Sequence, residues 1–224
     1  MEHGMNNKYL DTKSQKLSRI VPIKNLIIDK IDENQNIKRL CRYMTTTPLL
    51  PKGKTYDGKI INQPDLTESL KEDSLNNGEA FISGTVIYPY AFTEDVVDRD
   101  RLTIYVHCPR TILSTDSRKI YDDRTTGYIG NHLFYIDIVY PVEYNPIEPY
   151  GEERVYSIAY EILDMFDDLY IEDDYTRDIV GDVKFKINGE ILNKRLSVTN
   201  YAILSIPIYV PYTTVRVKSN LLER

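Results

Sequence analysis

The stretch Gly151–Leu169, GEERVYSIAYEILDMFDDL, constrains the fold more than any other part of the chain. Val155, Ile158, Ala159, Ile162, Leu163, Phe166 and Leu169 recur at three- and four-residue intervals, so one side of a helix is continuously apolar. Burying about six such side chains is worth on the order of 10–15 kcal/mol before the entropy of ordering is subtracted. Such a helix must lie on a sheet or on another helix. Glu152 and Glu153 are expected in its first turn, where a carboxylate favours the positive helix end.

Strand patterns supply the sheet. Phe81–Tyr90 is rich in β-formers, and Arg101–Cys108 alternates Leu102, Ile104, Val106 and Cys108 against polar neighbours. His132–Val142 puts Phe134, Ile136, Ile138, Tyr140 and Val142 on one face. Between these two runs, Pro109–Asn131 reads as a charged loop. After the helix, Asn188-Gly189 separates two strand-like runs within Val183–Leu196, and Asn-Gly supplies the two positive-φ residues of a type I′ hairpin. Tyr201–Tyr212 is the closing strand, with Ala202, Leu204, Ile206, Ile208 and Val210 on one side.

Ahead of the strands, Ile23, Leu26, Ile27 and Ile31 fall at helical spacing, and so do Ile37, Leu40, Cys41 and Met44. Asp32–Asn36 interrupts them, which predicts two short helices or one with a polar break. The order of elements predicts an α+β fold: an antiparallel-rich β-sheet with helices packed on one face. Residues 1–18 read as a polar arm and 19–217 as a single domain.

That domain carries a long loop, 45–79, with three prolines, three glycines and one possible turn of helix near Leu66–Leu70. A connection of this length is uncommon inside a compact domain and is usually functional or disordered. Leu49, Leu50, Ile60 and Ile61 require it to lie against something, either a partner or its own domain.

Several function classes are disfavoured. The net charge of −6 argues against a protein built to grip nucleic-acid phosphates. Cys41 and Cys108 are too few for a disulfide framework and suit a reducing environment. No apolar run approaches 18 residues and no secretory signal is visible, so no membrane contact is expected. Phosphate-loop, dinucleotide, zinc-peptidase and nucleophile-elbow motifs are absent. Acidic residues Asp164, Asp167, Asp168, Glu172, Asp173 and Asp174 lack the glycine and closing glutamate of a calcium loop. No cofactor or metal is expected.

His107 beside Cys108 is the one pair that invites an enzymatic reading. Consecutive strand residues point to opposite faces, so the two cannot form a dyad. Cys108 continues the apolar set and is expected to be buried, while His107 faces away. Cys41 lies inside a helical apolar stripe and reads as a core thiol. Arg110, Arg118, Lys119 and Arg124 gather near Tyr121 and Tyr128, diluted by Asp116, Asp122 and Asp123, and read as a charged loop or a subunit contact. The 19 tyrosines and absent tryptophan lean toward interfaces.

A leading helix, three strands, an amphipathic helix, a hairpin and a closing strand together resemble the tail-terminator (tail-completion) proteins of long-tailed bacteriophages. The resemblance covers about residues 20 to 215. It rests on HLFYIDIVYPVEYN running into GEERVYSIAYEILDMFDDL, then on YAILSIPIYVPY as the exit strand. It implies a virion structural protein of the neck, without enzymatic activity. Such a protein forms a homo-oligomeric, usually hexameric, ring between tail tube and head connector. Its implied partners are copies of itself, neighbouring neck, connector and tail proteins, and genomic DNA passing through the channel. On this reading Leu49, Leu50, Tyr56, Ile60, Ile61, Arg118, Lys119 and Arg124 are the expected oligomer or partner contacts. Another head–tail connector or ring adaptor is the nearest alternative. A small enzyme using Cys108 or His107, and a nucleic-acid binder using the 110–128 loop, are the rivals from other classes.

Overall fold

The computed structural model describes residues 19–50, 52–61, 63–72, 84–93, 101–114, 125–148, 152–171, 183–187, 189–196 and 200–217. It is an α+β fold. Helices α1 (Ile20–Glu33) and α2 (Gln35–Arg42) are separated by Asn34 alone, whose side chain accepts from the Ile37 amide and caps α2. The expected polar break is therefore one residue long. Helix α3 runs from Arg154 to Phe166.

The main sheet has the order β10–β12–β5–β4–β3, with β11 also on β12. Its members are β3 (Ile87–Tyr88), β4 (Thr103–Ser114), β5 (Thr125–Pro141), β10 (Lys186–Ile187), β11 (Leu192–Arg195) and β12 (Tyr201–Val217). All pairings are antiparallel except β3 with β4. Three short pairs complete the described strands. They are β1 (Thr55–Tyr56) with β2 (Lys59–Ile60), β6 (Pro146–Ile147) with β7 (Glu152–Glu153), and β8 (Tyr170–Ile171) with β9 (Val183–Lys184).

Even-numbered positions of the central strands face the helices. Ile104, Val106, Phe134, Ile136, Ile138, Leu204, Ile206 and Ile208 form one core with Ile23, Ile27 and Ile31 of α1 and with Val155, Ile158, Ile162 and Phe166 of α3. The opposite face carries a smaller cluster of Tyr105, Val139, Leu196 and Tyr201, against which Tyr88, Phe92 and Ile203 pack.

Several local expectations are corrected. The described residues of the expected Pro109–Asn131 loop are strand, because β4 continues to Ser114 and β5 begins at Thr125, while 115–124 lie outside the described residues. Pro109 bends the strand without ending it. His107 pairs with Tyr135 and Arg110 with Leu133, so three steps on β4 match two on β5. A proline has no N–H to donate, and a bulge absorbs it. The extra residue flips the parity of β4, so that Thr111 comes opposite the buried His132.

Asn188 lies outside the described residues, but the flanking strands do not form the expected hairpin. Both β10 and β11 pair with β12. Together they are one edge strand, interrupted between the rungs Ile187↔Ile208 and Leu192↔Ser205. Pro207 sits inside that gap, and Gly189, at φ +120°, lies against it: a Cβ there would be 3.3 Å from Pro207 Cγ.

The type I′ hairpin is elsewhere, at Asp57-Gly58, with φ of +47° and +70° between β1 and β2. Glu152 and Glu153 are extended residues of β7, so α3 opens at Arg154 and not on a carboxylate. Leu66–Leu70 is buried at both ends but is not helical. Phe81–Tyr90 contributes only the two-residue β3, and Phe81–Ser83 lie outside the described residues. Cys108 is half-buried, not buried.

Candidate interaction surface

Three arginines fasten the long loop to the helices. Arg154 is 2% exposed, and its guanidinium donates to the carbonyls of Leu40 (2.6 Å), Tyr43 (2.9 Å) and Thr45 (2.6 Å). Leu40 belongs to the last turn of α2, whose carbonyls have no helical partners, so a cation there also meets the negative helix end. Burial pulls the pKa of Arg154 down to about 10, which leaves it charged at neutral pH.

Arg39 donates to Pro48 O and Leu50 O and pairs with Asp65 at 3.1 Å. Arg42 donates to the carbonyls of Ser69, Glu72 and Gly84. Asp32 receives the Ser69 hydroxyl and the Leu70 amide, at 2.8 and 2.6 Å. The described parts of 45–72 are thus stitched to their own domain. Carbonyl acceptors carry no signature in sequence, so these arginines could not be singled out beforehand.

What the stitching leaves outside is the β1–β2 hairpin. Tyr56 donates its hydroxyl to Glu148 at 2.7 Å and ties the hairpin down at one point. Ile60 is 75% exposed, Leu49 is exposed, and Leu50 and Ile61 are half-buried. Arg118, Lys119 and Arg124 lie outside the described residues. Nearby, an open groove of about 460 Å³ is lined by Leu49, Glu153, Tyr156, Ser157, Tyr160 and Glu161. Its helical residues belong to the solvent side of α3, whose other side carries the apolar stripe.

The residues of the enzymatic reading are now placed. His107 Nε2 lies 2.8 Å from Asp137 Oδ2, and Ser205 Oγ donates to Asp137 Oδ1 at 2.6 Å. Here the carboxylate stands between serine and imidazole. A nucleophilic serine needs the imidazole in the middle to take its proton, so this order does not activate Ser205. Cys108 lies on the other face, near Thr111, and burial raises its thiol pKa. Cys41 is fully buried, and burial pushes its thiol up to about 12 despite Arg154 and Arg42 close by. Neither thiol has the lowered pKa of a reactive cysteine.

Among the described residues no group of three or more His, Cys, Asp or Glu side chains could hold a metal ion. Of the acidic run, Glu172, Asp173 and Asp174 lie outside the described residues. No described helix is long and apolar enough to cross a membrane.

The fold is α+β, and Arg39, Arg42 and Arg154 fasten the described parts of the long loop to the helices. The chain matches no protein-family model and no curated protein.

Proposed function

We propose that this chain is a structural protein of the phage neck or tail, a ring-forming tail terminator joining the tail to the head connector. One observation carries the reading: β5 and β12 are far longer than the other strands of the sheet, at 17 residues each. Val210↔His132 is the last rung whose two residues are both described as buried, and beyond it β12 and β5 stay paired from Pro211↔Asn131 to Val217↔Thr125. Those seven further rungs extend the sheet by about 20–25 Å at 3.4 Å per residue. Strand β4 accompanies them as far as Ser114↔Ile129.

On its outer side β4 forms ladder rungs with β3 at Ile104 and Tyr105, and on the outer side of β12 the rungs with β10 and β11 run from Ala202 to Tyr209. The edge of a sheet is a template on which another chain can add a strand. In the proposed ring, β4 of one copy meets β12 of the next, and the extended strands line the channel. The net charge of −6 suits a lumen through which DNA must slide without being held. The exposed hairpin, with Ile60 at its outer side, is the proposed contact to a neighbouring neck, connector or tail protein.

Native mass spectrometry across a concentration series, with negative-stain images of the same samples, tests the reading. A closed ring, six copies being the expected number, supports it. A ring of another copy number moves the protein to the connector or adaptor class. A monomer at all concentrations, which also fails to cap isolated tail tubes, overturns it.

A further inference from the structure

We propose that the groove beside α3 is a binding site for an extended, basic segment of a partner polypeptide. This inference goes beyond ring formation and does not depend on which strand edges meet.

Its basis is a pair of carboxylates that asparagine side chains hold in place. Glu161 accepts from Asn36 Nδ2 on one oxygen, at 2.7 Å, and from Asn34 Nδ2 on the other, at 2.8 Å. Glu153 accepts from Asn145 Nδ2 at 2.8 Å. Amide donors fix the direction of a carboxylate and leave its charge in place. Among the described residues neither glutamate has an ion-pair partner. Each oxygen can accept a further bond, so both carboxylates are oriented to receive a cation.

The tyrosines add a second preference. Tyr156 and Tyr160 are one helical turn apart on the same side, 48% and 71% exposed. The Tyr156 hydroxyl accepts from Asn193 Nδ2 at 3.0 Å, which holds that ring in place. Exposed tyrosine faces beside carboxylates favour a guanidinium, which can stack on the ring while donating to the carboxylate. Leu49 gives the groove an apolar side.

Spacing narrows the partner. Glu161 lies seven residues along α3 from Arg154, about 10 Å at 1.5 Å per residue, and Glu153 is one extended step before Arg154, so the two glutamates are about 10–14 Å apart. An extended chain places side chains i and i+4 on one side, about 13 Å apart. The fitting segment therefore carries two arginines four residues apart with small residues between them.

The test uses the full chain and a fluorescein-labelled peptide, Arg-Gly-Ser-Gly-Arg, read by polarisation. Saturable binding that weakens with salt and falls about tenfold or more in Glu161→Gln supports the site, one charge-assisted contact being worth that much. Tyr160→Ala, a change at an exposed position, should weaken binding with the melting temperature unchanged. A peptide with adjacent arginines should bind less tightly. Equal binding to wild type and Glu161→Gln, or no saturable binding at millimolar peptide, overturns the proposal. Loss of self-association in Glu161→Gln, alongside lost peptide binding, would identify a second copy as the source of the segment. A ring that forms normally in Glu161→Gln, with peptide binding lost, assigns the groove to a different protein.

Discussion

The guanidinium of Arg154 donates to the carbonyl of Leu40 at 2.6 Å, across 114 residues of sequence. With Tyr43 and Thr45 as its other acceptors, this side chain fixes the end of α2, the start of the long loop and the first turn of α3 to one another. Removing it strands three carbonyls in a water-poor site.

Arg154→Ala should therefore destabilise the domain by about 3–5 kcal/mol, the usual cost of breaking a buried charged network. Arg154→Lys keeps the charge but not the fork geometry and should lose roughly half as much. Urea denaturation checks both. A loss below about 1 kcal/mol in the alanine variant would mean the loop is held by other contacts.

His132 predicts an acid-side loss of stability. It is fully buried, 3.1 Å from Thr111 Oγ1, and burial, reinforced by the Arg19 charge, lowers its pKa to about 4. The unfolded chain titrates it near the ordinary 6.5, so between those values the unfolded state binds more protons. The contribution is complete above pH 6.5 and disappears as pH falls toward 4. Between pH 7 and pH 4 the loss should be about 3 kcal/mol. His132→Gln should flatten that part of the stability profile. An unchanged slope in the variant would remove His132 as the cause.

Much of the fold was legible because it rests on apolar periodicity, as in the stripe of α3 or the alternation of Phe134, Ile136 and Ile138. What proline and glycine do was less legible. Pro109–Asn131 read as a charged loop, but a strand already held by β5 on one side tolerates the missing donor of Pro109 at the cost of a bulge. Asn188-Gly189 and Asp57-Gly58 carry the same local signal. Only the second makes its hairpin, because β12 recruits both runs beside the first. For the surface, Ile60 was readable as an apolar residue in a polar loop. The orienting of Glu153 and Glu161 by asparagines from other elements depends on tertiary placement alone.

The thiols should be slow to react. Burial raises the pKa of Cys108 above its ordinary value, and Cys41 is pushed up to about 12. With iodoacetamide at pH 7.5, Cys108 should be modified more slowly than glutathione, and Cys41 only on unfolding. Fast alkylation of Cys108 would require a thiolate-stabilising group and would reopen the enzymatic reading.

The strand-edge assignment can be tested at Ile112, which lies on β4 opposite Asn131 and is 37% exposed. A lysine there keeps strand geometry and adds a charge on the extended part of the sheet, the device by which natural sheets keep their edges from pairing. Ile112→Lys should leave the melting temperature within a few degrees of wild type, as surface changes away from the core generally do. The same variant should shift native mass spectra from the ring toward the monomer. Replacing residues 52–61 by a short glycine–serine link should behave differently, because the β1–β2 hairpin is outside the core and, on this reading, faces a neighbouring protein. That variant should still close rings but fail to join them to tails or connectors. If Ile112→Lys assembles as wild type does while the hairpin replacement stays monomeric, the two surfaces have exchanged roles, and the hairpin is the contact between copies.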